Sequence, residues 1–156
     1  MRKTRLIRLG MAMAAVAASS TAAAEDPIEC FDALVSAKIL RQTPSAFPNC
    51  GDDCIIISWP WFMEIDVKRV IEGRAPKGRQ LILTVQHTSF RKDPGTRRWW
   101  LRRNSLGGFN LLRTSDEKLP RCTEDSMPTD PYIRPAPGQT LDDLVREGEE
   151  AYPHGS

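Results

Sequence analysis

The sequence predicts a mainly β domain: a small five-stranded antiparallel barrel followed by a C-terminal helix. Three observations lead there. The run from Ile55 to Val70 alternates apolar and polar residues, shorter alternating runs follow it between Gly- and Pro-containing turns, and one helical pattern lies near the C-terminus. The N-terminus adds a compartment, and the compartment governs how the four cysteines are read.

Arg2, Lys3, Arg5 and Arg8 form a basic lead, Leu9 to Ala18 a short apolar stretch, and Ala22-Ala23-Ala24 a small-residue cleavage site. This is the pattern of an export signal. No segment offers the roughly 20 apolar residues of a membrane helix, so no transmembrane segment is expected. Pro27-Ile28-Glu29 before Cys30 does not resemble the small-residue motif of lipoproteins, so no lipid anchor is expected either. The expected organisation is a signal peptide over 1–24, a disulfide-clipped β-barrel over 25–122, and a Pro-rich extended segment with a helix docked on the barrel over 123–156. The expected location is periplasmic or secreted, after cleavage near Ala24.

The first strand is expected over Ala33 to Gln42, with Ala33, Val35, Ala37 and Ile39 on one face and Ser36, Lys38 and Gln42 on the other. Helix is the alternative for this segment, because alanine, leucine and lysine favour it. Thr43-Pro44-Ser45 and Phe47-Pro48-Asn49 then break the chain. In the long alternating run, Ile55, Ile57, Trp59, Trp61, Met63, Ile65 and Val67 share a parity against Ser58, Glu64, Asp66 and Lys68. Pro60 lacks a ladder donor and marks an edge, a bulge or a strand start, leaving the main strand at 61–71.

Pro76-Lys77-Gly78 turns the chain into a strand with Leu81, Leu83 and Val85 on the inward parity and Thr84 and Gln86 opposite, paired antiparallel to the long one. Arg98 to Arg103 and Phe109 to Arg113 form a hairpin around Gly107-Gly108. Residues 115–138 carry five prolines and no period, as an extended surface segment does. The helix is expected over Leu141 to Ala151, with Thr140 as N-cap, Asp143 in the place of the usual capping-box Glu, and an Arg146–Glu150 pair. Gly148 weakens that helix by about 1 kcal/mol relative to alanine.

The net charge of +2 includes the four cations of the signal; without residues 1–24 the chain has 18 basic and 20 acidic side chains. Residues 25–67 carry two cations and eight anions, residues 68–121 fourteen and four, and residues 122–156 two and eight. One reading is mutual neutralisation within the fold, with the tail lying across the basic middle. The other is an anion-binding face of Arg91, Lys92, Arg97, Arg98, Arg102 and Arg103.

Four cysteines in an exported chain favour disulfides. Three connectivities are possible. Local geometry favours Cys50–Cys54 across Gly51-Asp52-Asp53, which leaves Cys30–Cys122. Closing that wide loop is worth about 4 to 5 kcal/mol in the chain-entropy description. A four-thiolate zinc site lacks a second close pair, and a redox pair is more often C-x2-C.

Catalytic machinery is sparse. Only His87 and His154 are present, and no G-x-S-x-G, phosphate-binding glycine loop or EF-hand occurs. His87 is expected at a strand end on the inward parity, partly buried and hydrogen-bonded. No catalytic residue, cofactor or metal is assigned. Trp99 and Trp100 are adjacent in a strand and face opposite sides, so at most one is core, and the outward one is either covered or a contact residue.

The strand at Leu34 to Leu40, the run Phe62 to Gly73 and the paired strands up to Leu112 resemble an OB-type barrel, closest to its netrin-like or TIMP-like branch. The resemblance covers residues 30–122 and rests on strand pattern. A TIMP-like inhibitor presents its mature N-terminal cysteine to a protease zinc. Cys30 lies inside the expected mature start, so that mechanism does not carry over.

The expected function is a non-enzymatic exported binding domain with Trp99, Trp100, Arg98, Arg102 and Arg103 as the contact face. An acidic protein, a glycan or lipopolysaccharide is the expected kind of partner, and nucleic acid is not. The alternative is an envelope hydrolase using His87.

Overall fold

The computed structural model describes residues 29–46, 57–87, 91, 95–112 and 119–153. The expected signal peptide and the expected Cys50–Cys54 pair lie outside the described residues.

Five strands close into a barrel: β1 (Ala33–Pro44), β2 (Trp59–Gly73), β3 (Gly78–Gln86), β4 (Arg97–Arg103) and β5 (Phe109–Leu111). Their order around the barrel is β1-β2-β3-β5-β4, with β1 pairing β4 to complete the circle. This is the OB-like barrel of the sequence reading. Every pairing is antiparallel except β3 with β5, which run parallel through Ile82–Phe109 and Leu83–Asn110.

The inner face is built as the alternation in β1 and β2 predicts. Ala33, Val35, Ala37 and Ile39 meet Met63, Ile65 and Val67, and Ile82, Trp99, Leu101 and Leu111 complete the core. Ile57 is an exception to the expected parity: it lies before β2 and is exposed. Pro60 sits at the start of β2, where its carbonyl accepts from the Ser45 amide (3.2 Å) and hydroxyl (2.7 Å).

Bulges bend the long strands around the barrel. Register shifts fall between Leu34 and Val35, between Ser36 and Ala37, and between Ile39 and Arg41. The last leaves Leu40 unpaired and reverses the phase of β1, because an extra residue exchanges the two faces of a period-two strand. Gln42 therefore pairs with Met63 and turns to the inner side, opposite to the expectation, while Thr43 pairs with Phe62 on the outside.

The phase expected for β3 is likewise corrected. Ile82 pairs with Met63 and Thr84 with Trp61, so Ile82, Thr84 and Gln86 are the inward residues, and Leu81, Leu83 and Val85 point out. The apolar outer parity has a physical reason. Asp32, Arg102, Asn110, Leu83, Phe62 and Thr43 lie at neighbouring positions on successive strands and form an outer row with little or no exposure. The C-terminal segment contacts both ends of this row. The Met127 carbonyl accepts from Arg102, the Asp130 carbonyl accepts from Asn110 Nδ2 (2.7 Å), and Gly148 abuts Thr43 and Pro44. The row is a second, smaller core outside the barrel.

The C-terminal helix, α1 (Leu141–Ala151), has the expected capping box: Thr140 accepts from the Asp143 amide, and the Asp143 carboxylate accepts from the Thr140 amide. Hydrogen bonds from the Thr140 hydroxyl and amide, and from Arg146, hold the Asp143 carboxyl at about 2. Arg146 pairs with Asp143 (2.6 Å), one turn back, where the sequence pointed to Glu150. Gly148 is the buried residue of the helix: a Cβ there would overlap the Pro44 carbonyl oxygen and lie 3.2 Å from Thr43 Cγ2. What reads in the sequence as a weak point is the position where helix and strand touch.

Candidate ligand-binding groove

The expected contact residues divide into three environments. Trp99 is core: it points into the barrel opposite Val35, and its Nε1 donates to the Ala37 carbonyl (3.1 Å). The Arg97 and Arg91 guanidiniums lie 5.3 and 5.9 Å from its ring centroid. Arg91 is inserted at the barrel mouth, donating through Nε to Gln86 (2.7 Å) and through its amide to Gln42 (3.0 Å). It is part of a polar plug rather than of an outer face. Lys92 lies outside the described residues.

Arg102 and Arg103 are bound up with Asp32. Arg102 Nη1 donates to Asp32 Oδ2 (2.7 Å), and Arg103 donates to the same carboxylate through its amide (2.7 Å) and its Nε (2.9 Å). Both guanidiniums also reach the C-terminal segment, Arg102 at the Met127 carbonyl and Arg103 at that of Ser126 (3.5 Å). Burial works to raise the Asp32 carboxyl. The Arg103 amide and the two guanidiniums outweigh it and hold the group below its ordinary value. Charge-assisted bonds of this kind to one buried carboxylate make a clamp between β1, β4 and the C-terminal segment.

Arg98 and Trp100 remain at the surface. Both lie on the outer parity of β4, opposite Ser36 and Leu34. They line a cleft of about 270 Å³ together with Phe31, Leu34, Glu72, Leu119 and Arg121. Trp100 is half-buried there, and Arg98 and Arg121, both exposed, line the same cleft.

The opposite wall of the cleft comes from the disulfide Cys30–Cys122. It joins the start of β1 to the segment after β5, as the sequence led one to expect, and seats Phe31 beside Arg121 in a short parallel bridge. The Phe31 amide donates to the Pro120 carbonyl (3.1 Å), and the Cys122 amide donates to the Phe31 carbonyl (2.8 Å). Phe31, Leu119 and Arg121 were not singled out in the sequence. The cysteine pairing was the available signal, since it places each residue before Cys122 alongside the start of β1.

A second cleft of about 220 Å³ also has Arg121 in its lining, with Asp32, Arg74, Arg103, Cys122, Thr123 and Glu124. Arg74 and Glu124 approach to 3.5 Å there, both almost fully exposed.

His87 is not partly buried on the inward parity. It follows the outward phase of Leu83 and Val85, is exposed, and has Nδ1 3.0 Å from the Ile57 carbonyl. It does not line either cleft. Among the described residues no group of three His, Cys, Asp or Glu side chains is arranged to hold a metal, and no helix is long and apolar enough to cross a membrane.

Fold and groove together define a small, disulfide-tied, OB-like β-barrel with a C-terminal outer layer. Comparison with protein-family models, with curated proteins and with solved structures finds no match to this chain.

Proposed function

We propose that the protein is an exported, non-enzymatic binding module whose contact face is the cleft of Arg98, Trp100 and Arg121. The observation that carries this reading is the half-buried Trp100 in a cleft that two exposed arginines also line. Tryptophan and arginine are the residue types that most often dominate binding energy. Arg102 leaves the contact face and supports it from behind, through Asp32, while Arg103, paired with the same carboxylate, lines the adjoining cleft. The Cys30–Cys122 disulfide suits an oxidising compartment, and so supports export to the periplasm or beyond with a mature start near Glu25. The closed five-stranded barrel is the architecture that a netrin-like or TIMP-like relationship requires, and it supports the OB-like part of that reading.

The test is a binding panel of acidic glycans, lipopolysaccharide and acidic peptides against the mature protein and its Trp100→Ala variant. At least one ligand should lose affinity by about tenfold or more, the scale of one well-made contact. A panel in which Trp100→Ala changes nothing removes this face.

A further inference from the structure

The two clefts share one lining residue, Arg121. Glu72 belongs to one and Arg74 to the other, on either side of Gly73, so the groove runs across the start of β1. Each cleft alone is smaller than the roughly 300 to 1,000 Å³ of sites that enclose a small molecule. The shape suits a chain laid across the surface, with one unit at Trp100 and the next at Arg74.

The lining narrows the chemistry of that chain. Arg74, Arg98, Arg103 and Arg121 face it together with Asp32, Glu72 and Glu124, a mixture of both signs. A dense polyphosphate calls for an overwhelmingly basic track, which Glu72 and Glu124 interrupt. An extended acidic peptide gains its main-chain bonds from an open sheet edge, and the described barrel is closed. A chain of sugars that each carry one carboxylate and several hydroxyls meets every element. The carboxylates accept from guanidiniums, the hydroxyls donate to Glu72 and Glu124, and a ring face lies on the indole.

We propose that the groove formed by Trp100, Arg98, Arg121 and Arg74 binds an acidic oligosaccharide, a chain of uronic-acid sugars, with Arg121 holding a carboxylate between the two clefts. This rests on the reading of the Trp100 cleft as the contact face.

The experiment titrates the mature protein with three uronic-acid oligomers of different linkage, a methyl-esterified neutral form of each, the monomers, inorganic polyphosphate and a poly-glutamate peptide. Calorimetry reads the affinity, and thermal unfolding verifies that each variant is folded. At least one oligomer should bind, its ester about tenfold or more weaker, because the ester carries no charge for the guanidiniums to pair with. Trp100→Ala and Arg121→Gln should each weaken the oligomer by about tenfold or more, one good contact apiece. Arg74→Gln should weaken the oligomer and leave the monomer unchanged.

Esters that bind as well as acids, an unaffected Arg121→Gln, or no binding by any of the three oligomers overturns the proposal. Trp100-dependent binding of polyphosphate or poly-glutamate without uronate binding overturns the sugar and leaves the contact face standing. If Trp100→Ala alters none of the titrations, both fall.

Discussion

Strand β4 carries two pairs of arginines with opposite fates. Arg102 and Arg103, at its end, are drawn onto the buried Asp32 and bonded to the C-terminal segment, whereas Arg97 and Arg98, at its start, face no carboxylate of β1. Residue type does not distinguish them. What differs is the facing residue of β1: register sets Ser36 and Ala37 against the first pair, while Asp32, one residue ahead of β1, faces Arg102. The same side chain is clamped where the buried Asp32 carboxylate faces it and lies at the surface where a small residue faces it.

The largest expected effect tests the covered pair. Asp32→Ala leaves two guanidiniums without their carboxylate and should cost about 3 to 5 kcal/mol, the scale of breaking one partner of a buried ion pair. Denaturant unfolding measures it. The carboxyl is depressed in the folded state, so its contribution is complete above the ordinary carboxylate pKa of about 3.9 and is lost as pH falls through the lower folded value. A stability profile from neutral pH into acid should therefore fall less steeply for Asp32→Asn than for wild type. Equal slopes would mean that the clamp does not depend on the charge.

A smaller effect separates helix propensity from docking. Alanine is the better helix former by about 1 kcal/mol, yet Gly148→Ala should lower stability by about 1 to 3 kcal/mol, the usual cost of overpacking. Its Cβ overlaps the Pro44 carbonyl oxygen. A stabilised variant would mean that α1 does not rest on β1. The smallest effect belongs to the exposed pair: Arg98→Gln should leave the unfolding midpoint within about 0.5 kcal/mol of wild type, as surface substitutions do, while weakening ligand binding. A loss as large as that at Asp32 would erase the distinction between the two pairs.

The inner barrel was legible because β1 and β2 bury mainly one face over Ala33 to Ile39 and Met63 to Val67, where burial alternates. The phase of β3 was not. Leu83 is apolar because it is buried in the outer row, and Thr84 and Gln86 are inward because the barrel mouth is polar, so both cues point the wrong way. Gln42 was misplaced by the single unpaired residue at Leu40, which no local composition announces. The acidic-basic-acidic charge pattern did foretell cross-segment pairing, seen in Asp32 with Arg102 and Arg103 and in Glu124 with Arg74. It did not tell which arginines would line the Trp100 cleft. That depended on register and on Arg121, whose position follows from the cysteine pairing and not from any pattern around it.

The disulfide has a mechanical consequence. Cys30 and Cys122 are separated by 92 positions, and all five strands lie between them. Tension applied between the chain's two ends passes directly from one sulfur to the other, so the barrel sits in a covalent loop off the line of force. The outer layer lies beyond that bond, and there the same pull is borne by the Arg102 and Arg103 contacts and the helix seat on Pro44. The molecule should yield to traction by shedding its C-terminal cover first, while the groove at Arg121, beside the bond, keeps its shape.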